Sequence, residues 1–138
     1  MSVLIKDEGF QADDLLAEEF VPLAEISATD QFLDLSSDAD VFEVAKLFGQ
    51  VNTIRIGFAS FSDGRGFSLA RRLRALGFTG RLRAFGHLIA DQYPHARRCG
   101  FDEVAIDESL SQRQPQHQWM AQSSWDQPSY QDRLLRTG

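Results

Sequence analysis

Only one cysteine, Cys99, occurs in 138 residues. A single thiol excludes an internal disulfide framework, and it excludes four-thiolate zinc or iron–sulfur sites within one chain. No stretch approaches the roughly 18 apolar residues that a membrane-spanning helix requires. Ahead of Asp7 there is neither a basic n-region nor an apolar h-region, so the expectation is a cytoplasmic protein without membrane contact. Several catalytic signatures are also missing. No Gly-Lys-Ser/Thr follows a glycine-rich turn, and no Gly-x-Ser-x-Gly elbow, His-Glu-x-x-His helix or Cys-x-x-Cys pair occurs.

What is present is 43% hydrophobic and 11% aromatic, the profile of one globular domain. The net charge of −6 is unevenly spread. Residues 1–50 carry twelve acids against Lys6 and Lys46, whereas residues 51–110 carry nine arginines against six acids. An acidic segment beside an arginine-rich one points to complementarity within the chain. Nucleic-acid binding would need an uncompensated basic face with interleaved aromatics, and is not expected.

Residues 1–30 form an acidic arm, whose apolar patches Val3-Leu4-Ile5 and Phe20-Val21 either add an edge strand or wrap the domain. Residues 31–110 alternate between strand and helix patterns. Phe32–Leu35 reads as a strand, and Ser37 with Asp40 fits a capping box. Val41, Val44, Ala45 and Phe48 then follow the i, i+3, i+4, i+7 spacing of a buried helix face, which Gly49 closes. The run from Ile54 to Phe61 reads as a strand covered on both faces. A helix is predicted over 67–76, with Leu69, Leu73 and Leu76 as its buried stripe. A strand is predicted over 82–85, and a helix over 91–99 with Pro94 in its first turn. The last strand is Val104–Ile106.

Such alternation predicts an α/β fold, with a small, mostly parallel sheet of about four strands and right-handed crossovers. Both an open three-layer sheet and half of a β/α barrel satisfy it. Residues 111–138 form a tail with seven glutamines between 112 and 131 and both tryptophans, Trp119 and Trp125, and it is either flexible or docked.

In an open parallel sheet, ligands bind beyond the carboxyl ends of the strands. Asp63-Gly64-Arg65-Gly66-Phe67-Ser68 lies in that place. Its glycines allow close backbone approach, a helix N-terminus follows, and Arg65 offers a bidentate clamp for an anion. The opposing reading is a tight turn capped by Asp63. Asp91 and Gln92 lie beyond the next strand, where Asp91 is either a ligand contact or a helix cap. His95 and Cys99 are spaced i, i+4, but no second ligand pair accompanies them, so no metal site is expected. A thiolate role for Cys99 would need His87 or His95 as base, or nearby arginines. Arg55 and Arg83 sit inside strand segments, where an unpaired charge is costly. They either pair with acids of the N-terminal arm or line a polar pocket or a subunit contact.

The run Asp63-Gly64-Arg65-Gly66-Phe67-Ser68, with Ala70-Arg71 and Leu73-Arg74, resembles a bacterial family catalogued as domain of unknown function 934. The resemblance continues at Gly80, Leu82-Arg83-Ala84, Gly86, Asp91-Gln92 and Cys99-Gly100-Phe101-Asp102, and covers roughly residues 30–108. His87, Arg81 and Pro94 depart from the family pattern. The family is often labelled a probable oxidoreductase involved in sulfite reduction, so the resemblance implies a role in sulfur assimilation beside sulfite reductase.

Three functions follow as expectations. The first is an accessory protein binding an anionic small molecule, with Asp63, Gly64, Arg65, Gly66 and Ser68 cradling the anion and Arg83, Asp91 and Gln92 completing the pocket. The second is a small oxidoreductase or other enzyme acting on a sulfur metabolite or flavin, using Asp63 with Asp91 or His87 as its acid/base pair. No cofactor motif is evident, and a flavin site needs none. The third is an interaction module that binds sulfite reductase through the tail. A half-barrel with open edges would also favour a homodimer.

Overall fold

The computed structural model describes residues 2–15 and 19–126. The strands are β1 (Ser2–Lys6), β2 (Gly9–Ala12), β3 (Val21–Pro22), β4 (Phe32–Ser36), β5 (Thr53–Phe58), β6 (Arg81–Gly86) and β7 (Glu103–Asp107). The helices are α1 (Val41–Ala45), α2 (Arg65–Ala75), α3 (Tyr93–Arg98), α4 (Glu108–Arg113) and α5 (Gln116–Met120). The strands form one mixed sheet of seven in the order β2-β1-β7-β6-β5-β4-β3. β3 to β7 run parallel, and β1 joins β7 antiparallel as the inner strand of a hairpin with β2.

The fold is α/β, with three strands more than the alternating pattern announced. All three come from the first 22 residues. The arm adds edge strands through β1, β2 and β3, and Asp13, Asp14 and Phe20 reach the arginines of the sheet. α1 is capped by Asp40, whose Oδ1 accepts the Phe42 amide at 3.0 Å, not by the expected Ser37. Ser37 Oγ donates to Asp63 Oδ2 at 2.8 Å, holding two loops together. β5 ends at Phe58, short of Phe61, because its neighbours β4 and β6 end there and leave no strand to pair with. Pro94 sits in the first turn of α3, where its missing N–H costs nothing.

From β4 to β7 every crossover steps to the adjacent strand in one direction, so the connecting helices gather on a single face. Strand alternation then divides the side chains. Leu33, Leu35, Ile54, Ile56, Phe58, Leu82, Ala84, Val104 and Ile106 join Ile5 in one apolar core with Val44, Leu69, Leu73, Ala96 and Trp119 from the helices. Gly66 allows α2 to approach β5, since a Cβ there would strike the Phe58 ring. The tail closes this layer. Trp119 is fully buried against Tyr93, ring centroids 6.1 Å apart, and its Nε1 donates to Gln114 O at 3.0 Å. Trp125 lies over the Arg97 guanidinium, 4.4 Å from its ring centroid, and its Nε1 donates to Asp7 at 3.1 Å. Burial alone would raise the Asp7 carboxyl, but hydrogen bonds from Tyr93, Arg97 and Trp125 outweigh it and hold it below its ordinary range.

The other face carries no helix and is polar. Register places Asp34, Arg55, Arg83 and Glu103 in one row across four parallel strands. Arg83 is 1% exposed, a depth at which an isolated charge is intolerable. Its Nε donates to Glu103 at 2.7 Å, its Nη1 to Asp13 at 2.7 Å and its Nη2 to Asp14 at 3.0 Å. Arg81 binds the same Glu103 and Asp14, through contacts of 2.6 to 2.8 Å. Hydrogen bonding from Arg81 holds the Asp14 carboxyl down to about 2. The acidic arm is thus folded over the arginines it neutralises.

Two consequences are measurable. Trp119→Ala empties a fully enclosed indole site, so urea unfolding should show a loss of about 3–5 kcal/mol; a loss below about 1 kcal/mol would mean that tail docking adds little. Asp14→Asn should destabilise at neutral pH by no more than about 1 kcal/mol, because the Asp14 side chain is half exposed. Its carboxyl is lowered in the folded state, so its contribution is present above 3.8 and lost as pH falls toward 2. The stability gap between the two proteins should therefore close over that interval, and a gap unchanged at pH 2 would count against the ion pair.

Candidate functional site

The second arginine of the charged row behaves differently from the first. Arg55 Nε donates to Asp34 Oδ1 at 2.9 Å, and its guanidinium lies between two rings, 4.4 Å from the Phe20 centroid and 4.6 Å from that of Phe85. Stacking on both faces fixes the plane of the group and supplies cation–π attraction. It also keeps Arg55 beside Arg83, its like-charged neighbour in the row, because Phe20 separates them with its centroid 5.8 Å from the Arg83 guanidinium carbon. Among the described residues, Nη1 and Nη2 of Arg55 have no protein partner. The Arg55 side chain keeps 12% of its surface exposed to solvent.

That solvent is a cavity of about 650 Å³ on the helix-free face. Asp34 and Arg55 line its deep end, Gly57 and Phe85 its floor, and His87 and Asp107 its rim. Its walls are the carboxyl ends of β4 to β7, where open parallel sheets place their ligands. Local chain geometry sets the rim. Gly86 adopts φ +110°, and a Cβ there would lie 2.7 Å from Phe58 O, so glycine alone allows the turn that His87 follows. The His87 amide donates to Phe58 O at 3.1 Å, and its ring packs on Phe61 at 5.5 Å between centroids. Ser109 donates to Asp107 Oδ2 at 2.7 Å, and this hydrogen bond keeps the Asp107 carboxyl below its ordinary value. Asp107 is therefore ionised at neutral pH.

The residues expected to cradle an anion are placed otherwise. Asp63 Oδ1 accepts both the Arg65 amide at 3.2 Å and Arg65 Nε at 3.1 Å. Asp63 thus caps α2 and occupies the guanidinium of its own turn. Hydrogen bonding from Arg65 lowers the Asp63 carboxyl, and the same bond raises Arg65. Gly64 and Ser68 are exposed, and Gly66 is buried against Phe58. Arg83 is enclosed by carboxylates of the arm and does not line the cavity. Gln92 caps locally, its Oε1 accepting the Ile89 amide at 3.0 Å and its Nε2 donating to Phe61 O at 2.7 Å. Asp91 accepts from Gln122 of the tail at 3.5 Å. Cys99 is buried with Arg71 Nη2 at 3.4 Å and His95 Nε2 at 3.7 Å from its sulfur. No group of three His, Cys, Asp or Glu side chains suited to a metal ion occurs among the described residues.

Sequence reasoning marked Arg55 as a charge needing a partner, but it did not find Phe20, Phe85 or Asp107 around it. The available signal was the alternation Ile54-Arg55-Ile56-Gly57-Phe58, in which a charge and a glycine share one face between apolar residues on the other. A second cavity, about 800 Å³ at the amino ends of β6 and β7, is lined largely by charges paired with one another, such as Arg97 with Asp7 and Arg74 with Asp102, together with Lys6 and Glu8, which have no ion-pair partner among the described residues.

Comparison with the curated proteins and with the solved structures gave no match. A family model described as a bacterial protein of unknown function, DUF934, matches residues 33–136, from the first core residue of β4 into the tail. That span contains four of the five parallel strands, both row arginines and most of the cavity wall, and the chain belongs to this family.

Proposed function

We propose that this chain is a small-molecule-binding accessory protein that holds an anionic ligand at the carboxyl ends of β4 to β7. The sulfur-assimilation setting, beside sulfite reductase and not in its place, rests on the family resemblance. The observation that carries the binding reading is Arg55. Its guanidinium is held between Phe20 and Phe85 and restrained at Nε by Asp34, it has no partner at either Nη atom among the described residues, and Arg55 lines the cavity. A cation held this way loses little rotamer freedom on binding, and its fork matches the oxygen pair of a carboxylate or sulfur oxyanion.

Catalysis has less support than binding. Of the candidate acid/base groups, Asp63 is held by Arg65 and Ser37 and Asp91 accepts from the tail, and His87 stands at the cavity rim with neither of them in the lining. An interaction module acting through Trp119 is likewise less favoured, since that indole is already enclosed by the chain's own core.

The test is thermal shift with sulfate, sulfite, phosphate and small organic acids, on the native chain and on Arg55→Met. A ligand at a hundred times its Kd adds about 2.7 kcal/mol, a rise on the order of 10 °C for a domain of this size. The rise should disappear in Arg55→Met, whose unliganded melting temperature should stay near that of the native chain because Asp34 remains partly solvated. A shift that survives in Arg55→Met would move the site elsewhere.

A further inference from the structure

Resting on that reading of the cavity, we infer that its ligand is an elongated organic molecule, anionic at one end and carrying an amine or other hydrogen-bond donor at the other, and not a free inorganic oxyanion. The first argument is size. A cavity of about 650 Å³ lies within the range of organic-ligand pockets. At about 30 Å³ per molecule it holds roughly twenty waters, of which an oxyanion would displace two or three.

The second argument is the order of chemistry along the strands. Arg55 lies in the row of Asp34. One side-chain repeat further along the same face come Gly57 and Phe85, and one repeat further again His87 and Asp107. Each repeat advances about 6.6 Å, so the cationic end and the acidic rim are separated by roughly 13 Å along the sheet. The floor between them is bare backbone and the Phe85 ring, with Ser36 in the same row, its hydroxyl donating to Asp38. Gly57 makes it low: a Cβ there would meet no atom closer than Leu35 O at 3.7 Å, an ordinary contact. Among the described residues nothing crowds a Cβ at 57, and Gly57 lines the cavity, so the space above it is open to a ligand. The rim then favours a positive or donating group. Asp107 offers a carboxylate, and Ser2, paired with it across the β1–β7 ladder, lines the same end.

The probes are therefore 8-aminooctanoate, octanoate, octylamine and inorganic sulfate, compared by ligand-observed NMR titration on the full chain. The expected order of affinity is aminooctanoate first, then octanoate, with sulfate weakest. Asp107→Asn should reduce aminooctanoate binding about tenfold, to the level of octanoate, and leave octanoate unchanged. Gly57→Leu should abolish binding of both carboxylates while the melting temperature and circular dichroism stay native, because the new side chain fills only the trough. Sulfate binding that exceeds both carboxylates, or that survives Gly57→Leu, would overturn the elongated ligand and leave the anion site standing. Equal affinity for aminooctanoate and octanoate would overturn the donor-bearing end. No binding by any probe, together with a flat thermal-shift panel, would overturn the cavity as a site altogether.

Discussion

A guanidinium buried in a sheet is the constraint around which this molecule is arranged. Arg83 projects from the third of four parallel strands on the face that has no helices, and at 1% exposure it requires compensation from every side. One carboxylate comes from the next strand, Glu103, and two come from the arm, Asp13 and Asp14. The arm's acidity, which the uneven charge of the sequence set against the arginine-rich segment, is thereby structural. It also delivers Phe20 to the sheet, and Phe20 is what lets two arginines stand side by side in one row.

The cavity follows from the topology. Four strands stepping in one direction put their helices on one face, so the opposite face must be covered by something else or remain open. Here it is covered at the amino ends by the arm and left open at the carboxyl ends, where Arg55 lines the cavity together with Asp34 and, at the rim, Asp107. The same face therefore holds one arginine saturated by carboxylates and one that is not. Their difference lies in position: Glu103 and the arm reach Arg83, whereas Arg55 has Asp34 at a single nitrogen and rings on both faces.

The sequence made some of this legible and hid the rest for identifiable reasons. Strands β4 to β7 and helices α1 to α3 carry clear periodicity, because each has one face in a single apolar core. The strands of the arm are short, and β1 pairs with β7 about a hundred residues away, so the apolar patches Val3-Leu4-Ile5 and Phe20-Val21 mark an edge strand without revealing its partner. Of the outcomes anticipated for Arg55 and Arg83, which were pairing with the arm, lining a polar pocket or making a subunit contact, Arg83 takes the first, and Arg55 lines a cavity whose walls are more apolar than polar. The turn at Asp63-Gly64-Arg65-Gly66 illustrates an ambiguity of glycine-rich signatures. The same composition serves an anion cradle or a tight helix entry, and only the approach of Gly66 to the Phe58 ring explains its glycine. Phe20, Phe85 and Asp107 escaped notice because their association with Arg55 depends on cross-strand register, which spacing along one chain does not encode.

The pairing of β1 with β7 has a kinetic meaning. Ser2 is a register partner of Asp107, so this ladder closes a loop of more than a hundred residues. During synthesis at about 5–20 residues per second, the first strand is exposed for several seconds or longer before its partner exists. Over that interval the edge of β1 that β7 will cover is open at Val3, Leu4 and Ile5, and Asp13 and Asp14 have no arginine to neutralise. The excess negative charge that later clamps the sheet is, until then, what keeps the nascent segment solvated and discourages association between chains. One stretch of acids thus guards the chain before folding and holds it together afterwards.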